Sequence, residues 1–367
     1  MKKLFCIVFV IIFSFVPFKT KALSTSAKGA ILINGDTGEV IYQYNADVKL
    51  PMASTTKIMT AICTIENINT NMPITVDDRA VGVEGSSVYL CHNEKITIKE
   101  LLYCMMLNSG NDAATALAIA VGGSVENFSD LMNKTAKRIG ANSTNFVNPS
   151  GLYDENHYTT ARDLAKITSY AMKNPLFCDI VKTKEMTISA GNVAGKRYLK
   201  NHNKLLWQYE DCIGVKTGYT KKCGRCLVSA AKKDMTSLIA VTLNAPDDWN
   251  DHKSLFDYGF SRLKNNIISL DGQYAMTYSV DGCDVALCFE DSLETTLDAS
   301  LVDIKYETFP ANLPINQGER LGIARLMYNG TQIDTSPLIS RDQITNLSYK
   351  KDFLHTFLAE VKMYLGI

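Results

Sequence analysis

The chain has no excess of charge of either sign. Its 367 residues include 38 lysines and arginines against 38 aspartates and glutamates, and no run of basic residues exceeds two. Proteins that bind nucleic acids through the phosphates present a clustered basic surface. The even balance therefore argues against a nucleic-acid partner.

The chain also lacks the cysteine and histidine patterns of metal sites. Its five histidines are scattered, and the C-x-x-C spacing from Cys223 to Cys226 has no second pair to complete a zinc site. We therefore expect no metal and no other cofactor. Nine of the ten cysteines follow the N-terminal segment, and Cys63 and Cys104 stand in apolar helical patterns. This indicates buried thiols rather than a disulfide framework, with a redox pair at Cys223 and Cys226 as the alternative.

A hydrophobic run long enough to span a bilayer is missing as well. The N-terminal apolar run, Leu4–Val16, has about 13 residues, whereas a membrane-spanning helix needs about 20. It follows two lysines and precedes Thr20-Lys21-Ala22, whose small residues are typical of a cleavage site. We expect a signal peptide at residues 1–22 and export of the mature protein, with an uncleaved membrane anchor as the alternative.

Strand patterns and helical patterns divide residues 23–264 into blocks. Buried-strand runs come first, helical patterns follow, and strands return before a closing amphipathic helix at Trp249–Leu263. That order predicts one antiparallel sheet of about five strands with helices on its faces. The predicted sheet strands are Ala30–Asn34, Val40–Tyr44, Asp211–Tyr219, Cys226–Lys232 and Ser237–Asn244, and Ser87–Leu90 and Lys95–Ile98 are predicted as short strands.

The pattern changes after residue 264. Short alternating runs separated by turn residues predict a small all-β domain at 265–347. The tail at 348–367 carries apolar residues at helical spacing, with Lys350, Lys351 and Lys362 among them. We expect an amphipathic helix there, which either contacts a membrane surface peripherally or packs on protein.

The first chemical motif stands at a predicted helix start, residues 51–60. Pro51 and a run of small and hydroxyl residues precede an apolar helical pattern. Ser54 and Lys57 are three positions apart, so they share one face of the helix and can touch. The helix N-terminus favours a serine alkoxide, and an amine one turn further can accept the proton if it is held neutral. Alone the motif is weak, because Ser54 could equally be a helix cap.

Two further motifs follow along the chain. Ser109-Gly110-Asn111 separates two apolar helical runs, which predicts a short exposed loop, although an ordinary helix–helix turn has the same composition. Lys216-Thr217-Gly218 ends a predicted strand. Each motif is weak alone, but the order and structural context of all three agree with the motif set of penicillin-binding proteins and serine β-lactamases.

These residues resemble the low-molecular-mass penicillin-binding proteins that act as serine-type D-alanyl-D-alanine carboxypeptidases, of the peptidase S11 type. The likeness covers residues 25–263 and includes Ala53–Thr60, Leu107–Ala114, Asn156–Asp163 and Gly214–Thr220. It implies an α/β (α+β) fold of the β-lactamase and DD-peptidase type. It also implies peptidoglycan stem peptides and β-lactam antibiotics as ligands, and a place in the cell wall or at the outer face of the cytoplasmic membrane.

The resemblance implies three catalytic residues. Ser54 would attack the carbonyl between the last two D-alanines of a stem peptide, and Lys57 would take its proton. Ser109 would pass a proton to the leaving D-alanine. Lys57 must be neutral for this role, and burial together with the charge of Lys216 would lower the pKa of its amine.

The resemblance implies substrate binding by Asn111 and by residues 216–219. Asn111 would hold the Lys57 amine and a substrate amide. The peptide would lie as an added strand along Lys216, Thr217, Gly218 and Tyr219, with the backbone N–H groups of Ser54 and Tyr219 as the oxyanion hole.

One departure from the family concerns the terminal carboxylate. Many relatives have an arginine just before the closing helix, whereas residues 247–253 here contain none. Recognition of the carboxylate would then fall to Thr217 and Lys216, with His252 or Lys253 as helpers.

Two other functions remain open from the sequence. A class A β-lactamase shares the motifs but needs a glutamate, usually in Glu-x-x-Leu-Asn, and no such motif lies between Asn111 and Lys216. A non-catalytic wall-binding protein of the same fold is the second alternative.

Overall fold

The computed structural model describes residues 23–345 except 190, 191, 193, 194, 234, 235, 263–265, 296 and 298. The predicted signal peptide at 1–22 and the predicted amphipathic helix at 348–367 lie outside these residues. None of the helices in the described part combines the length and the apolar character that crossing a bilayer requires.

Strands and helices alternate in blocks up to residue 262. In chain order they are β1 (Gly29–Asn34), β2 (Val40–Tyr44), a 3-10 turn (Ala53–Thr56), α1 (Lys57–Asn67), β3 (Pro73–Thr75), a 3-10 turn (Asp78–Ala80), β4 (Lys95–Thr97), α2 (Ile98–Leu107), α3 (Asn111–Gly122), α4 (Val125–Ile139), α5 (Ala161–Ala171), α6 (Pro175–Lys182), β5 (Glu185–Ser189), β6 (Lys196–Lys200), α7 (Leu205–Gln208), β7 (Cys212–Thr220), β8 (Gly224–Lys233), β9 (Thr236–Leu243) and α8 (Asp248–Arg262).

A five-stranded antiparallel sheet with the order β2-β1-β9-β8-β7 organises this part of the chain. β1 pairs with both β2 and β9, and β7, β8 and β9 form a meander. The sheet confirms the prediction from the strand patterns, including the placement of the first and last segments within it. β7 lies at one edge, so one of its sides faces no other strand of this sheet.

The sheet is covered by helices on both faces. Every residue of β1 is buried, because alternate side chains face opposite layers. Leu32 joins the hydrophobic cluster that contains Leu255 and Phe256 of α8. Ile31 and Ile33 join the larger cluster formed with the helices on the other face. Two apolar layers therefore hold β7 and β8 in place.

The prediction of a short strand at Ser87–Leu90 is wrong. The backbone there is irregular, and the N–H groups of Val88 and Leu90 donate to the carboxylate of Asp112 instead of to a strand. Alternating side chains alone did not reveal this competing acceptor. β4 forms as predicted but ends at Thr97, which caps α2 in a capping box with Glu100.

The C-terminal part of the described chain is all-β apart from one 3-10 turn, as predicted. Strands β11, β12, β16, β15 and β14, in this order, form an antiparallel sheet around a core that includes Leu287, Leu326 and Leu338. β10 pairs with β13. The predicted limits at 264 and 347 stay predictions. The elements are β10 (Asn266–Ser269), β11 (Tyr274–Val280), β12 (Cys283–Phe289), β13 (Leu293–Thr295), a 3-10 turn (Ala299–Leu301), β14 (Asp303–Thr308), β15 (Arg320–Tyr328) and β16 (Thr331–Ser340).

Candidate active site

Ser54 lies in the 3-10 turn that leads into α1. The hydroxyl groups of Thr55 and Thr56 donate to the carbonyls of Met52 and Ala53, at 2.6 and 2.8 Å, which fixes this turn. Ala53 has a φ of +47°, in the left-handed region that non-glycine residues seldom adopt. The turn has no side-chain cap. Ser54 is therefore not a helix cap, which was the alternative interpretation of the motif.

The Lys57 amine is the centre of the site. Its Nζ lies 2.9 Å from Ser54 Oγ, as their spacing predicted. It also donates to Asn111 Oδ1 at 2.7 Å and to the Ser150 carbonyl at 2.6 Å. The side chain has no solvent exposure. Three oxygen atoms thus surround a fully buried amine, and none belongs to a carboxylate.

This environment disfavours the charged form of Lys57. Burial lowers the pKa of the amine well below 10.5, and the positive charge of Lys216 lowers it further, while Asp112 opposes the shift. Burial also lowers the pKa of Lys216 to about 7. The direction for Lys57, whose largest cause is burial, agrees with the sequence-based expectation that this amine is held neutral.

Asn111 has a single amide orientation that satisfies its neighbours. Its Nδ2 donates to the carbonyl of Glu84 at 2.7 Å, which leaves Oδ1 to accept from Lys57. A Cβ atom at Gly85 would lie 2.5 Å from that Nδ2, so the backbone at Gly85 must come close. The amide is thereby locked with its oxygen toward the lysine.

The prediction that Ser109 and Asn111 lie on an exposed loop is wrong. Both residues are 5% exposed, and Asn111 is the first residue of α3. The segment around residues 84–94 lies against Asn111, whose N–H donates to the Ser86 carbonyl and whose side chain donates to the Glu84 carbonyl. Ser109 has a φ of +61°. Among the described residues its hydroxyl makes no hydrogen bond, so it stands available to a bound molecule.

Asp112 holds the covering segment in place. Its buried carboxylate accepts from the Ser87 hydroxyl at 2.6 Å and from the N–H groups of Val88, Leu90 and Ala113. Sequence reasoning missed this residue, although it directly follows the second motif. An aspartate directly after the motif asparagine, in the first turn of a helix, is a sequence signal for a carboxylate that holds a neighbouring segment.

Residues 216–219 lie on the edge strand β7 and alternate between its faces. Lys216 and Gly218 face the Ser54 turn. A Cβ atom at Gly218 would stand 2.9 Å from Ser54 N, so only glycine allows this approach. Lys216 is 2% exposed and donates to the Thr217 carbonyl at 2.9 Å. Tyr219 is 67% exposed. The unpaired edge of β7 therefore lies next to Ser54.

The loop at residues 148–151 supplies the acceptor that sequence reasoning missed. Asn148 Oδ1 accepts from the N–H groups of Ser150 and Gly151, at 3.2 and 2.7 Å. Gly151 has a φ of +85°, and a Cβ atom there would lie 1.9 Å from the Ala53 carbonyl oxygen. These constraints place the Ser150 carbonyl against Lys57. A main-chain acceptor cannot be recognised from the identity of its own side chain. The Asn-x-x-Gly spacing of the loop is a weak sequence signal for it.

The histidines near the site are structural. His157 accepts from the Val147 N–H through Nδ1, so Nε2 carries the proton and faces Thr56 Oγ1 at 2.7 Å. Burial lowers the pKa of His157 to about 4. His252 is fully buried, and its Nε2 lies 2.9 Å from Thr242 Oγ1. The expectation that His252 helps to bind a carboxylate is wrong, since it belongs to the core between α8 and the sheet.

In the described part of the chain no group of three or more His, Cys, Asp or Glu side chains is placed so that it could hold a metal ion. Cys223 and Cys226 are buried, and burial raises the pKa of the Cys226 thiol to about 12. That thiol is protonated at neutral pH, which makes it a poor nucleophile.

Comparisons with known proteins place the chain among wall peptidases. The family model Peptidase_S11, described as D-alanyl-D-alanine carboxypeptidase, matches residues 17–247. D-alanyl-D-alanine carboxypeptidase DacF of Bacillus subtilis is 31% identical over 90% of this chain and 89% of DacF. The crystal structure of carboxypeptidase DacD from Francisella tularensis matches with a TM-score of 0.62 and 26% identity, over 88% of this chain and 94% of DacD.

A third protein matches a smaller share of this chain. The Streptomyces K15 DD-transpeptidase structure has a TM-score of 0.62 and 35% identity, over 65% of this chain and 98% of its own. The fold, the motif geometry and these relatives agree. The chain belongs to the peptidase S11 family of D-alanyl-D-alanine carboxypeptidases.

Proposed function

We propose that this protein is a serine-type D-alanyl-D-alanine carboxypeptidase that removes the terminal D-alanine of peptidoglycan pentapeptides through an acyl-enzyme on Ser54. The observation that carries the proposal is the contact of 2.9 Å between Ser54 Oγ and a fully buried Lys57 amine. A nucleophile and a base within hydrogen-bond reach are the minimum for this chemistry.

The hydrogen bonds around Lys57 fit its role as the base in the neutral form of the amine, which burial favours. A neutral amine has two N–H donors and one lone pair. Asn111 Oδ1 and the Ser150 carbonyl can only accept, so they take both donors. The lone pair is then left for the third contact, which is Ser54. Lys57 thus accepts the Ser54 proton as the hydroxyl oxygen attacks the substrate carbonyl.

The other predicted site residues complete the reaction in this proposal. Ser109 passes a proton to the leaving D-alanine amine, and its hydroxyl makes no hydrogen bond among the described residues that would compete. The substrate pairs with the outer side of β7, and the N–H groups of Ser54 and Tyr219 stabilise the oxyanion. Asn111 contacts a substrate amide through its remaining N–H. The terminal carboxylate of the substrate contacts Thr217 and Lys216, which are followed by Gly218 on the same strand.

A β-lactam antibiotic acylates the same serine, and we expect the adduct to be long-lived. A fast β-lactamase needs a general base for the deacylating water. Within the described residues no carboxylate bonds to Ser54 or Lys57. Neither the β-lactamase alternative nor the non-catalytic one has an observation in its favour.

We further propose that the protein is exported by residues 1–22 and works outside the cytoplasm. It would act in the cell wall or at the outer face of the cytoplasmic membrane, with peripheral contact through residues 348–367. The apolar run behind two lysines and the helical spacing of the tail support this proposal.

Labelled penicillin and a pentapeptide test the catalytic proposal together. We expect wild-type protein to carry the label on Ser54 by mass mapping and to release D-alanine, and Ser54→Ala to do neither. D-alanine release by Ser54→Ala, or a penicilloyl lifetime well under a second in the wild type, would contradict it. Ser150→Ala, which keeps the main-chain acceptor, is the control that should stay active.

A further inference from the structure

The proposed substrate ends in a carboxylate, and the inference below rests on that proposed function. Neither site lysine offers a lasting positive charge to it. Burial lowers the pKa of Lys57 well below 10.5 and the pKa of Lys216 to about 7, so the charge of Lys216 fades above neutral pH. An arginine guanidinium stays charged throughout this range.

Arg225 is the arginine that the sheet brings to this edge. It stands on β8 directly opposite Tyr219 of β7. Opposite residues in an antiparallel pair share a face, and a residue two positions along is a diagonal neighbour within about 7–8 Å. Thr217 is that diagonal neighbour, because it pairs with Leu227. Thr217 and Arg225 therefore project from the same face of the sheet, Thr217 from the edge strand β7 and Arg225 from the neighbouring strand β8.

The first turn of α8 fixes the guanidinium. Asp248 Oδ1 accepts from Arg225 Nε at 3.0 Å and from Nη2 at 2.6 Å. The Asp248 side chain is 4% exposed, whereas that of Arg225 is 40% exposed. The Trp249 ring centre lies 5.5 Å from the Arg225 guanidinium carbon. One face and one edge of the guanidinium are thus held by protein.

The remaining donors of Arg225 are unused. A guanidinium has five N–H donors, and two of them go to Asp248. Among the described residues no other acceptor takes the rest. The pair keeps a fixed, partly exposed set of donors on the face that also carries Thr217. Such a set suits a carboxylate, which accepts from an arginine in a bidentate manner.

We propose that Arg225, positioned by Asp248, binds the terminal carboxylate of the substrate together with Thr217 and makes the enzyme select peptides with a free C-terminus. In this arrangement Arg225 is a substrate-binding residue and Asp248 is a positioning residue. The same contact serves the carboxylate of a penicillin.

Two matched peptides test the selectivity, one ending in D-Ala-D-Ala and one ending in D-Ala-D-alaninamide. The full chain is measured for kcat/KM of D-alanine and D-alaninamide release at pH 8. We expect Arg225→Gln to lose about 10- to 100-fold on the acid, mainly in KM, because a hydrogen bond to a charged group is lost. Its rate on the amide should stay within about twofold. Asp248→Asn should lose acid preference less than Arg225→Gln does.

The control is Lys222→Gln, which removes an exposed cation from the turn between β7 and β8 and should leave the acid-to-amide ratio unchanged. Arg225→Lys keeps the charge and should retain more acid preference than Arg225→Gln. An unchanged ratio in both Arg225 variants, or an equal drop in ratio for Lys222→Gln, overturns the inference while leaving the carboxypeptidase proposal intact. A wild type that turns over neither peptide removes both.

Discussion

Replacing Lys57 tests the central chemical claim. Lys57→Arg puts a guanidinium in place of an amine whose pKa is lowered by burial, and a guanidinium does not give up its proton at working pH. Lys57→Gln removes the base without adding charge. Both variants lack a group that can accept the Ser54 proton across the present 2.9 Å contact.

The expected loss follows from the role of the base. Positioned general-base catalysis contributes about 10²- to 10⁴-fold to a rate. The second-order rate of acylation by labelled penicillin should therefore fall at least about 100-fold in both variants. Thermal melting should separate them, since Lys57→Arg buries a charge with no carboxylate against it and Lys57→Gln does not.

The matched control is Lys49→Arg, an exposed lysine whose ammonium lies 4.6 Å from the Tyr158 ring centre. This variant should be acylated at the wild-type rate. If a folded Lys57→Gln or Lys57→Arg protein is acylated within about tenfold of wild type, the base is another group and the assignment of Lys57 is refuted.

Three further results are expected. Gly151→Ala forces a Cβ atom against the Ala53 carbonyl and should lower the unfolding free energy by more than the ~1 kcal/mol expected of Gly38→Ala, where φ is also positive but space is open; urea unfolding compares them. Asp112→Asn turns an acceptor of four donors into a partial donor and should cost about 2–3 kcal/mol, slow acylation and expose residues 84–94 to protease. His157 has a pKa of about 4 instead of 6.5, so only the unfolded state binds its proton between these values, and stability should fall by up to about 3 kcal/mol as pH drops from 6.5 to 4; His157→Gln should flatten this slope in urea unfolding at stepped pH.

The residues that sequence reasoning placed well share a local encoding. Ser54 and Lys57 meet because three positions on a helical turn set their distance. β7 and β8 could be predicted from their apolar strand patterns on either side of a short turn. Residues 216–219 lie at the end of the first of these two strands. In each case a short stretch of chain contains the whole geometric reason.

The features that escaped prediction depend on distant chain. Ser109 and Asn111 looked exposed because their local sequence does not show the segment at residues 84–94, which Asp112 holds beside Asn111 through backbone N–H groups. His252 looked available because nothing local shows that α8 turns it toward Thr242. Arg225 looked like an ordinary strand residue until α8 placed Asp248 beside it. Burial and pairing across the fold, which no local pattern reports, decided these positions.

The Ser150 contact has a consequence for how this site responds to mutation. The Ser150 group that orients Lys57 is a main-chain carbonyl. A substitution at position 150 therefore cannot remove this acceptor unless it also moves the backbone. Its placement is instead encoded at Asn148 and Gly151. In a saturation library selected for penicillin labelling, position 150 should accept other small side chains, since it is buried, while positions 148 and 151 should accept almost no replacement. Sensitivity to mutation in this part of the site is thus expected at two residues that make no hydrogen bond to the lysine.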